Sequence, residues 1–96
     1  MLVWIIYDIE KNRTRSKVAT HCKGYGLNRV QKSVFLGTLN NNEIDEISLK
    51  CQEIMDRKKD SIYIFPMCDE DFKKARLLGQ AFDKKIVKDE VISKFF

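Results

Sequence analysis

The run Leu2-Val3-Trp4-Ile5-Ile6-Tyr7 is apolar without alternation, and the chain can fold only in ways that cover both sides of it. A strand sends successive side chains to opposite faces. Leu2, Trp4 and Ile6 therefore point one way, and Val3, Ile5 and Tyr7 the other. The segment Ile62 to Phe65 repeats the pattern, with Ile62 and Ile64 alternating with Tyr63 and Phe65. Strands covered on one side only should alternate with polar residues. These do not, so each face of the sheet needs its own cover.

The intervening segments supply cover for one face. After a strand over residues 2 to 9, Asn12 can cap a helix reaching about Lys23, with Val18, Ala19 and Cys22 at helical spacing. Gly24 and Gly26 stop it. Residues 28 to 36 read as one long strand, since they carry no internal turn signal. Asn42 with Asp45 resembles a second helix start, and Ile44, Ile47, Cys51, Ile54 and Met55 form one stripe ending near Lys58. A further strand spans residues 60 to 67, and Asp69 can cap a short helix through Leu78. In the tail, residues 85 to 88 read as a strand and 91 to 96 as a short helix. This order predicts an α+β domain with two helices on one face of an antiparallel sheet. For the other face, a symmetric copy of the chain is the favoured cover. The alternative is the tail itself, with Ile86, Val87, Val91, Ile92, Phe95 and Phe96.

Charge is unevenly distributed. Residues 1 to 39 hold seven Lys and Arg against Asp8 and Glu10, while residues 40 to 96 hold eleven against twelve acidic residues. A local basic excess is the electrostatic footprint of phosphate binding. Cys22, Cys51 and Cys68 are odd in number and widely spaced, so reduced thiols are expected and no structural metal. The N-terminal apolar run is too short to span a membrane and lacks signal-peptide features, which makes the cytoplasm the default location. No glycine-rich phosphate loop, nucleophile elbow or paired acidic motif occurs, which argues against ATPase, hydrolase and dehydrogenase activities.

Asp8 is the one carboxylate that closes an apolar strand. There it can coordinate a hard cation such as magnesium, although one carboxylate alone holds a metal poorly. A symmetric dimer that brings two copies of Asp8 together would help. Arg13, Arg15 and Lys17 splay around the first turns of the basic helix and suit backbone phosphates, which position a ligand without reading sequence. Arg29 and Lys32 add positive charge, Ser33 and Gln31 offer hydrogen bonds, and Phe35 is either core or a stacking platform for a base. His21 reads as a helix-surface histidine without a catalytic partner.

With Tyr7-Asp8-Ile9 closing its first strand, a basic helix behind it, and Leu27 to Phe35 followed by Gly37 and Leu39, the chain resembles the CRISPR-associated endonuclease 2 family. Residues 60 to 67 are similar to that family's later strand, and the specific part is Arg-Val-Gln-x-Ser-Val-Phe at 29 to 35. The resemblance implies a single domain over 1–96 with the ferredoxin-like order βαββαβ, which needs two strands between the helices where the residues suggest one. It implies a homodimer, with the tail from about residue 80 packing as a strand onto the partner's sheet. It also implies a magnesium-dependent endonuclease on RNA or double-stranded DNA, with manganese as a substitute metal, that partners the adaptation integrase in CRISPR spacer capture. Metal binding and catalysis fall on Asp8; Tyr7, Arg15, Lys17, Arg29, Ser33 and Phe35 fall on positions that line the cleft or touch nucleic acid. A non-catalytic DNA-binding scaffold and a virulence-associated ribonuclease toxin are the alternatives.

Overall fold

A computed structural model describes residues 1 to 79. The strand and helix expected between 85 and 96 lie outside the described residues, as does the packing of the tail. The element order is β1 (Leu2–Asp8), α1 (Asn12–Gly24), β2 (Asn28–Gln31), β3 (Val34–Thr38), α2 (Asn41–Ile54), β4 (Ser61–Met67) and α3 (Asp69–Lys74). The four strands form one sheet in the order β2-β3-β1-β4, and every neighbouring pair is antiparallel. This is the ferredoxin-like α+β arrangement, and it places the two longest apolar strands, β1 and β4, side by side.

Register assigns each residue to a face. Ile5 lies between Phe35 and Ile64, Trp4 between Leu36 and Phe65, and Ile6 between Val34 and Tyr63. On the first face α1 and α2 pack through Val18, Ala19, Cys22, Ile47 and Cys51 against Val3, Ile5, Tyr7 and Phe35. On the second, Leu2, Trp4 and Leu36 meet Val30 and Phe72 of α3, with Leu77 packed alongside. The Trp4 and Phe72 rings are 5.8 Å apart. Among the described residues the second face is thus half covered: α3 and Leu77 shield the Leu2 end, while Tyr63 and Phe65 stay 51% and 48% exposed at the other.

Several expected boundaries move for identifiable reasons. The long strand over 28 to 36 is two, joined by Lys32 and Ser33, with a bulge between Arg29 and Gln31. The Gln31 side chain accepts the Lys32 N–H at 2.7 Å, so a side-chain acceptor does part of what a glycine turn would. Helix α1 is preceded by Lys11 in the capping position with no side-chain cap, because Asn12 is already helical. Of the two glycines expected to stop α1, Gly26, at φ 80°, takes the left-handed conformation, while Gly24 remains in the helix. Helix α2 starts two residues earlier than expected, on a capping box. Asn40 Oδ1 accepts from Glu43 N–H at 2.8 Å, and Glu43 Oε1 accepts from Asn40 N–H at 3.0 Å. Met55 is already extended, so α2 ends at Ile54 rather than near Lys58. Helix α3 ends at Lys74, where Ala75 turns extended and carries the chain back toward the sheet. All three cysteines are free, Cys22 and Cys51 buried and Cys68 exposed. Among the described residues no helix is long and apolar enough to cross a membrane.

Candidate functional site

The C-terminal end of β1 opens into a cleft of about 570 Å³ lined by Tyr7, Asp8, Ile9, Asn12, Arg15, Ser16, Arg29, Lys32 and Ser33. Three elements meet there: the strand end, the first turns of α1, and the β2–β3 turn. The lining carries one carboxylate, Asp8, and three cations. That balance suits a polyanion, because a concave site lined by one sign of charge concentrates field lines.

Asp8 is exposed at the last residue of β1 and pairs with Ser61 in the ladder to β4. Its alternation with Tyr7 puts it on the half-covered face, in line with Trp4 and Ile6. Tyr7, by contrast, points to the helix side and is only 4% exposed. Its N–H donates to Ser33 C=O at 3.1 Å, which ties β1 to the turn. Its hydroxyl lies 3.5 Å from Lys32 C=O and from Arg29 Nη2, donating to the first and accepting from the second.

Phe35 is fully buried, with its ring stacked on Tyr7 at 6.4 Å between centroids. A base has no route to it. Instead the Arg29 guanidinium sits over the Phe35 ring, 5.1 Å from its centroid. An exposed arginine lying on an aromatic face and touching a hydroxyl loses less freedom when it takes a phosphate. Phe35 thus acts through Arg29, as the floor under the cation.

Arg15 is partly buried and its guanidinium turns inward. Nη1 donates to Ile9 C=O at 2.9 Å and to Glu10 C=O at 3.1 Å, and Nη2 donates to Asn12 Oδ1 at 3.1 Å. Arg13 and Lys17, four residues apart, lie exposed on α1 and outside the cleft lining. The structure therefore gathers Tyr7, Asp8, Arg15, Arg29, Lys32 and Ser33 around one opening and sets Phe35 beneath it. Asn12 and Ser16 also line the cleft, though the sequence reading gave neither a site role. Their signal was the four-residue spacing that puts both beside Arg15 on one side of α1.

The donor set bears on magnesium. Among the described residues no group of three or more His, Cys, Asp or Glu could hold a metal ion. A closed protein cage is therefore absent from the described residues. Magnesium, however, commonly keeps several waters and binds through one or two carboxylates plus substrate phosphates. A single exposed carboxylate facing a cationic cleft fits that mode, and Asp8 is the residue that would hold the ion.

Comparison with known proteins bears on the family and the fold. The family described as CRISPR associated protein Cas2 matches residues 1–75. The CRISPR-associated endoribonuclease Cas2 of Desulforudis audaxviator is 33% identical over 78 residues, covering 81% of this chain and 74% of that protein. The protein of the same description from Korarchaeum cryptofilum is 37% identical over 82 residues, covering 81% of this chain and 84% of its own length. Among solved structures, Streptococcus pyogenes Cas2 superposes with a TM-score of 0.71 at 30% identity, covering 82% of this chain and all of that one.

Proposed function

The chain belongs to the CRISPR-associated Cas2 family, and from that premise we propose that it is a metal-dependent endonuclease of CRISPR adaptation that acts as a homodimer. The observation that supports this most is the cleft itself, in which the exposed Asp8 carboxylate stands among Arg15, Arg29 and Lys32. Bound at Asp8, magnesium would stabilise charge on a scissile phosphate and lower the pKa of a water. The chain's own groups do the rest. Arg29, steadied by Phe35 and Tyr7, and Lys32, beside it on the turn, hold backbone phosphates. Arg13 and Lys17 extend the positive surface along α1, where they position a longer strand without reading its sequence.

The dimer reading rests on the half-covered face. Ile6, Tyr63 and Phe65 form an apolar strip next to Asp8, and a second copy related by a twofold axis would cover it and bring a second Asp8 near the first. A partnership with the adaptation integrase belongs to the same proposal and follows from family membership.

A second reading is a DNA-binding scaffold without catalysis, and the single carboxylate lining the cleft favours it. The deciding experiment measures cleavage of labelled duplex DNA and single-stranded RNA, with and without magnesium, for wild type and Asp8→Ala. Magnesium-dependent cutting should fall by at least about a hundredfold in the variant, as for loss of a group that acts only on the transition state. The preferred substrate then assigns RNA or DNA. Cutting that survives Asp8→Ala removes Asp8 from the chemistry, and salt-sensitive duplex binding without cutting leaves the scaffold.

A further inference from the structure

Glu10 stands two residues beyond Asp8, and side chains from two different elements hold both polar groups of its backbone. Its N–H donates to Asp60 Oδ1 at 3.3 Å, and its C=O accepts from Arg15 Nη1 at 3.1 Å. The same Arg15 nitrogen donates to Ile9 C=O at 2.9 Å. Ile9 and Glu10 lie past the last ladder pair of β1 and before the first residue of α1. Regular structure satisfies none of these three groups, so the side chains set the path of the backbone there.

Asp60 is itself anchored. Its N–H donates to Asp56 C=O at 2.7 Å, and its Oδ2 accepts from Asp56 N–H at 2.9 Å, which closes the turn after α2 on itself. The next residue, Ser61, is the ladder partner of Asp8. The α2–β4 turn is thus tied to the end of β1 twice, once through the ladder at Asp8 and once through Asp60 at Glu10.

We infer that Asp60 is a positioning residue for Asp8, which with Arg15 forms a two-sided clip on the Glu10 peptide and fixes how the Asp8 carboxylate enters the cleft. The inference rests on the nuclease reading above and gives Asp60 no contact with metal or nucleic acid, since it lies outside the cleft lining. Its charge separates positioning from binding. Removing an anion near a polyanion site should leave substrate binding equal or tighter. Loss of positioning should lower turnover, because a misplacement of about 1 Å can cost on the order of a hundredfold in rate.

The test uses the full chain as wild type, Asp60→Ala, Asp60→Asn and Asp56→Ala. It reads kcat and KM for magnesium-dependent cleavage separately, alongside amide hydrogen exchange at Glu10. Asp56→Ala removes the acceptor for Lys58 N–H in the same turn, 2.9 Å away, without touching Glu10, and so reports what loosening the turn does by itself. Asp60→Ala should lower kcat about tenfold or more with KM unchanged or lower, and should speed Glu10 exchange by about tenfold. Asp60→Asn keeps one acceptor oxygen and should fall between the two, while Asp56→Ala should stay near wild type in both readouts. Wild-type kcat and exchange in both Asp60 variants would overturn the inference, and so would an Asp56→Ala variant as impaired as Asp60→Ala. If the wild type cuts neither substrate, the nuclease reading fails, and unchanged Glu10 exchange in Asp60→Ala would then sink the clip independently.

Discussion

On the helix side of the sheet Val3, Ile5, Phe35, Leu39 and Ile47 are sealed from water, whereas on its other side Tyr63 and Phe65 of β4 keep about half their surface. Composition does not separate the two faces, since both are apolar. What separates them, among the described residues, is the length of helix laid over each. Helices α1 and α2, of 13 and 14 residues, complete one layer, while α3 has six residues and reaches the other face chiefly through Phe72. The candidate site sits where the faces converge. Arg29, Tyr7 and Phe35 belong to the finished side and are held rigidly by it, and Asp8 belongs to the open side. A cation with a fixed floor and a carboxylate beside an uncovered surface therefore share one cleft.

The sharpest way to break this comparison is to truncate one phenylalanine on each face. Phe35→Ala removes a fully buried ring and should cost about 3–5 kcal/mol in denaturant unfolding. It should also weaken nucleic-acid binding, because Arg29 loses its support. Phe65→Ala should cost about 1 kcal/mol or less within one chain, as for a half-exposed side chain. Phe65→Asp should instead shift light-scattering mass toward the monomer. Equal costs for the two alanine variants would mean that the open face is covered in solution as tightly as the helix side.

The cysteines sharpen it next. Burial pushes the Cys22 thiol up from its ordinary 9.0 to about 12, with a smaller contribution from neighbouring Cys51, and pushes Cys51 up to about 11. Both lie in the helix layer, whereas Cys68 is exposed just before α3. At pH 8 iodoacetamide should modify Cys68 readily and the other two only on unfolding. The raised values also make a prediction about alkaline stability. Above pH 9 the unfolded chain loses thiol protons that the folded chain keeps. Stability contributed by these groups is therefore fully present below pH 9 and is lost as pH rises toward 11 and 12. The loss should be on the order of 1 kcal/mol per thiol per pH unit. A flat urea midpoint between pH 9 and 10.5 would show that neither thiol is buried as described.

Much of this architecture was legible in the sequence, and the exceptions share a cause. Strands β1 and β4 announced themselves because an unbroken apolar run bounded by polar residues has few other uses. The stripe Ile44, Ile47, Cys51, Ile54 gave α2 and its buried side. The β2–β3 turn was illegible because Lys32 and Ser33 are not turn-specific residues, and among the described residues none other than glycine takes a positive φ. A bulge and the Gln31 side chain shape the corner instead, and neither leaves a local pattern. At the site, Asp8 was legible from its place at a strand end. The inward turn of Arg15 was not, because its partners are backbone carbonyls that any residue would offer. Asp60 looked like the polar start of a strand, and only the pairing of Ser61 with Asp8 brings it to Glu10.

Two adjacent residues of β3, Gly37 and Thr38, face opposite sides of the sheet and should respond to substitution in opposite directions. A Cβ at Gly37 would lie 2.7 Å from Leu27 Cδ2 and 3.2 Å from Leu27 Cα on the helix side. The first contact can be relieved by a rotamer change, but the second is backbone, so Gly37→Ala should destabilise by about 1–3 kcal/mol, as overpacking does. Thr38, facing the other way opposite Leu2, keeps a buried Oγ1 with no hydrogen-bond partner. Such an oxygen costs about 1–3 kcal/mol relative to a satisfied one. Thr38→Val keeps the branched shape, suits a strand and removes that oxygen, so it should raise stability by up to about 1 kcal/mol. The two substitutions thus carry opposite signs one residue apart. A stabilising Gly37→Ala would mean that the helix side has slack where the structure shows contact. A destabilising Thr38→Val would mean that its hydroxyl has a partner in solution, and that the second face is better satisfied than its exposed aromatic residues imply.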